Sequence, residues 1–156
     1  MAKSNADALT LLEKHAAEIR KELAVPRQND VFRAAVEAGF LAAMGDGEMD
    51  DTERNTIIRC VELLSEGVVI EWETDHLLDE CAERAEKEGK DKRAKAVGAA
   101  LKELGHAEAG LLFAAVIARV TNGVDKKEAE VLKAVGGAAG IGADKIKSIV
   151  KRAALA

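Results

Sequence analysis

The sequence predicts an all-α protein, a compact bundle of about seven or eight helices, and three observations predict it. Apolar residues recur at helical spacing along nearly the whole chain, and no segment alternates convincingly with a period of two. The apolar mass is Ala, Leu, Val and Ile, with aromatics at 3% and no Tyr, which favours closely packed helices over a sheet. Pro26 is the single proline, so little interrupts a helix.

Each element can be justified in order. Over residues 5–24, Leu9, Leu12, Ala16, Ile19 and Leu23 share one helical face. Pro26 ends that helix. Asn29 or Asp30 can cap the next, whose apolar face is Phe32, Ala35, Val36, Gly39, Phe40 and Ala43. It stops at the Gly-Asp-Gly of 45–47. Asp50 starts a third helix, and Asp50 with Glu53 has the D-x-x-E spacing of a capping box. Its stripe is Ile57, Ile58, Val61 and Leu64, broken at Gly67. The apolar run 68–70 is too isolated to make a sheet.

A helix over 73–88 turns Leu77, Leu78, Cys81 and Ala85 inward, and Gly89 is placed to end it. Asp91 is the expected cap of the next, which carries Ala94, Val97, Leu101 and Leu104 to Gly105. Residues 107–120 are apolar on most sides, the mark of a central helix. Asp125 starts another, with Leu132 and Val135 inward. The glycines at 140 and 142 separate it from a last helix over 144–154 carrying Ile146, Ile149 and Val150.

The 156 residues suffice for one packed core, so 1–156 reads as one domain with the helix 5–24 as a potential appendage. A hydrophobic share of 48% with 33% charged residues is a globular composition. A net charge of −5 argues against a nucleic-acid partner. Lys145, Lys147, Lys151 and Arg152 then read as the basic end of a helix, matched to its dipole. No signal-peptide pattern opens the chain, and its least polar stretch, near 110–120, is too short to span a bilayer. The expected location is cytoplasmic. Cys60 and Cys81 do not form a CxxC pair. They read as small buried hydrophobes, with a disulfide left open.

The chain also echoes itself. FLAAMGDGEMDDTERNTII from Phe40 and VIARVTNGVDKKEAEVL from Val116 share one order: apolar helix, Asp-Gly or Asn-Gly, D-x-x-E, apolar helix. Asp50 matches Asp125, Glu53 matches Glu128, Ile57 matches Leu132 and Cys60 matches Val135. The loops differ by one residue, and Asn122 stands where the first has Asp46. Two similar helical hairpins related by a pseudo-twofold are the inference.

The first loop carries the candidate site. Asp46, Glu48, Asp50, Asp51 and Glu53 place five carboxylates in eight positions. Two readings stay open. Asp-Gly is a common turn, Asp50 and Glu53 cap a helix, and Asp51 suits its first turn. Their coincidence is explained less well, because neighbouring carboxylates repel. A divalent cation (calcium, magnesium or zinc) would offset that repulsion through oxygen ligands. Asn122, Asp125 and Glu128 of the second hairpin are further candidate contributors. The loop is too short for an EF-hand. Asp75, His76, Asp79 and Glu80 have a zinc-compatible spacing but read better as a solvated helix face. No G-x-S-x-G, P-loop or HExxH is present, so no enzyme is expected.

The run Ala43-Met44-Gly45-Asp46-Gly47-Glu48-Met49-Asp50-Asp51-Thr52-Glu53 fits A-x-x-D-G-E-x-D-x-x-E. With the NGVDKKE of the second hairpin, it resembles the TerB-like tellurite-resistance family over about 31–154. The resemblance implies a compact all-helical domain of two similar halves. It implies a non-enzymatic part in bacterial stress responses, metal chelation by acidic residues, and partners in membrane-associated stress complexes. The alternative is a metal-free adaptor that docks a basic protein partner through its acidic face.

Overall fold

The computed structural model describes residues 10, 12–14, 17–19, 21, 28–43, 51–65, 71–121 and 126–153. For 28, 29, 65, 71, 72, 121 and 126–128 it describes the backbone alone. The protein is all-helical. Seven helices with defined ends follow a helical N-terminal stretch: α1 (Gln28–Ala43), α2 (Asp51–Ser65), α3 (Glu71–Glu88), α4 (Lys90–Leu104), α5 (Ala107–Thr121), α6 (Lys126–Ala138) and α7 (Ala143–Arg152). In the N-terminal stretch, Leu12 and Ile19 are buried in the common core, and Glu13 pairs with Arg59 of α2.

Helix ends follow the glycines. Gly89 takes a φ of 90° between α3 and α4, a conformation that only glycine adopts without strain. Gly105 closes α4 in the left-handed region with its N–H on the Lys102 carbonyl. The expected Asp91 cap moves. Gly89 rather than Asp91 is the N-cap of α4, leaving Asp91 in the first turn, where its charge suits the dipole. Likewise α7 starts at Ala143 with Gly142 as N-cap, and Asp144 lies in the first turn.

Two apolar helices form the centre. α1 packs most extensively on α5, and Phe32 meets Phe113 edge to face at 4.8 Å between ring centroids. The expected inward residues Phe32, Ala35, Val36, Phe40, Ile57, Leu78, Leu101, Leu132 and Ile146 are all buried. Further contacts run both across and within the two halves. α6 packs on α1 as α2 packs on α5. α3 leans on α1 and α2 as α7 leans on α5 and α6. So α1–α2–α3 and α5–α6–α7 occupy equivalent places, the arrangement expected of two related hairpins. α4 packs against α1 and α6.

Candidate functional site

Of the acidic loop, Asp51 and Glu53 belong to α2, and Asp46, Glu48 and Asp50 lie outside the described residues. Asn122 and Asp125 also lie outside, as does the side chain of Glu128 in α6. Asp51 is exposed and Glu53 half-buried. At about 100° per residue the two side chains leave the axis roughly 200° apart. A single ion on one side of α2 would therefore favour Glu53 or Asp51, not both equally. Among the described residues no three His, Cys, Asp or Glu side chains gather to hold a metal.

The carboxylates around His76 have other partners. Arg54 of α2 donates from Nε to Asp75 Oδ1 at 2.7 Å and from Nη2 to Asp79 Oδ1 at 2.8 Å. It also reaches the Asp75 carbonyl oxygen at 2.6 Å. His76 Nε2 stands 3.1 Å from Glu80 Oε1. These contacts tie α2 to α3 and leave a charged, solvated helix face. Cys60 and Cys81 are buried free thiols. Burial holds the Cys60 thiol far above its ordinary range, and burial with the nearby Glu37 charge pushes Cys81 up to about 12. Neither is poised as a nucleophile.

The sequence reading missed one cluster. Glu37 of α1 is buried, with a side chain 5% exposed. Arg93 of α4 grips it with two hydrogen bonds, Nε to Oε2 at 2.7 Å and Nη2 to Oε1 at 2.9 Å. Arg84 of α3 brings Nη2 to 3.2 Å from Oε1. Both guanidinium groups also approach acids nearer the surface, Glu88 and Glu80, at 3.5 Å. Glu37's hydrogen bonds are the main reason Arg93 is held above its ordinary pKa. One buried carboxylate thus pins three helices.

Aligning Asp46 with Asn122 puts Glu37 opposite Phe113, which is also fully buried. An apolar ring fills the equivalent place in the second half, so this packing position does not itself demand a charge. A signal was present: Glu37 is the only charged residue between 34 and 43. A helix buried on nearly all sides can keep a carboxylate only if it is paired.

Beside this cluster, α1, α3 and α4 enclose an open cleft of about 420 Å³, with Asp30, Arg33, Leu77, Glu80 and Leu104 around Glu37 and Arg84. It lies against the N-terminal half of α1. The described end of α1, Ala43, lies about 9 Å along the axis beyond Glu37 at 1.5 Å per residue.

The charge itself is divided. Residues 44–89 hold fifteen Asp and Glu against four Lys and Arg, a net of −11. Residues 90–156 hold seven acids against thirteen Lys and Arg, a net of +6. The whole-chain value of −5 conceals this split. The acidic loop is thus one end of an acidic region that continues along α2 and α3.

No protein-family model, curated protein or solved structure matches this chain. Among the described residues no helix is long and apolar enough to cross a membrane.

Proposed function

We infer that this chain is a non-enzymatic binding domain that presents an acidic face, the loop 44–50 with α2 and α3, to a basic protein partner. The observation that carries this reading is the reach of the negative charge. Metal binding would account for the carboxylates of 46–53 alone. Docking of a cationic surface accounts for those and for Glu73, Asp79, Glu83 and Glu86, all exposed on α3. The resemblance of the loop to the TerB-like signature supplies the setting: bacterial stress resistance, with partners among membrane-associated stress complexes.

The test is a titration of a fluorescent lysine-rich peptide by anisotropy at low salt. Wild type binds, and Glu83→Lys with Glu86→Lys weakens binding about tenfold. Equal affinity for both proteins refutes the docking face. A second reading, favoured by the coincidence of five acids, places a divalent cation at Asp46, Glu48, Asp50, Asp51 and Glu53. Calorimetry of metal-stripped protein with calcium, magnesium and zinc tests it. Binding that Asp46→Asn with Asp50→Asn abolishes supports the cation, and no heat at millimolar cation removes it.

A further inference from the structure

The basic partner can be named from the chain itself. We propose that it is a second copy: the acidic α3 face of one molecule docks the basic α7 face of the next. This rests on the docking reading above and adds the partner's identity. Three observations support it. First, the two faces carry opposite charge. α3 exposes Glu73, Asp75, Asp79, Glu83 and Glu86, whereas α7 exposes Lys145, Lys147, Lys151 and Arg152.

Second, part of each face has no counter-ion of its own. Arg54 holds Asp75 and Asp79, and Lys87 holds Glu83 at 3.2 Å. Glu73 and Glu86 have no partner among the described residues, nor do Lys147 and Lys151. Third, the faces occupy equivalent places in the two halves, α3 on α1 and α2, α7 on α5 and α6. The acidic half of one copy can therefore stack on the basic half of another while repeating one geometry. The two surfaces differ, so the contact is head-to-tail and yields a ring or a growing row. Charge steers the encounter, and salt opposes it.

Sedimentation velocity tests this at ionic strengths of about 0.02 and 0.5 M, where screening differs several-fold. Wild type is expected to exceed single-chain mass at low salt, to grow with concentration, and to return to one chain at high salt. Glu83→Lys with Glu86→Lys removes the acidic face, and Lys147→Glu with Lys151→Glu removes the basic one. Each variant alone, with folding verified by circular dichroism, stays a single chain. An equimolar mixture keeps one intact acidic face and one intact basic face. Its two reversed faces are complementary as well, so the mixture regains the association that each variant alone has lost. Wild type that stays a single chain at low salt up to about 1 mM overturns the proposal. So does a mixture that stays monomeric while wild type associates. Peptide binding lost in the α3 variant would then leave the docking face standing with a different partner.

Discussion

Replacing Glu37 with Ala tests how the three helices around it are held. The substitution removes the acceptor of two short hydrogen bonds from Arg93 and of the Arg84 contact. Removing one partner of a buried ion pair costs about 3–5 kcal/mol, because the remaining charge is left uncompensated. Arg84 is 35% exposed, so water screens its share. Arg93 retains Glu88 at 3.5 Å. The loss therefore falls at the lower end, about 3 kcal/mol. For a chain of this length that lowers Tm by roughly 6–12 °C. The assay is urea unfolding followed by circular dichroism, with the midpoint falling at an unchanged slope. A control replaces Glu37 with Leu, Arg84 with Leu and Arg93 with Met together. Exchange of a buried ionic cluster for apolar groups of similar size is often near neutral, so the triple variant should recover most of the loss. Glu37→Ala within about 0.5 kcal/mol of wild type, the range of an ordinary surface change, would refute the reasoning.

Two further predictions concern packing and thiols. A Cβ on Gly98 of α4 would run into the Val135 carbonyl oxygen and the Ala138 side chain of α6, whereas one on Gly137 meets open space. Gly98→Ala should cost about 1–3 kcal/mol and Gly137→Ala should add about 0.5–1 kcal/mol in the same unfolding assay. Cys60 and Cys81 are buried with raised pKa values, so neither should react with a thiol reagent at pH 8 until the protein unfolds. The unfolded thiols ionise near pH 8.5 while the folded ones stay protonated. Their contribution is thus complete below about pH 8.5 and lost as pH rises toward 12. Cys60→Val with Cys81→Ala should flatten that alkaline decline.

Local spacing made most of the fold legible. The stripe Ile57, Ile58, Val61 and Leu64 marked the inner face of α2, and Gly89 and Gly105 marked where α3 and α4 end. The Asp91 cap was misplaced because Gly89 both ends α3 and supplies the N-cap of α4, so no side-chain cap begins the helix. Glu37 is a lone charge in an apolar stretch, but its partners Arg84 and Arg93 lie 47 and 56 residues away, beyond any local pattern. The acidic loop was visible as an excess of carboxylates. That excess continues along α3, and it emerges only when charge is counted by element.

The most direct test of the acidic docking face is the affinity of the lysine-rich peptide measured in chelator and in millimolar calcium, magnesium or zinc at constant ionic strength. Charge on α2 and α3 acting by itself predicts the same Kd, within about twofold, with and without metal. Binding that appears only when a cation is supplied would contradict that account and make the loop at 46–53 the organising site.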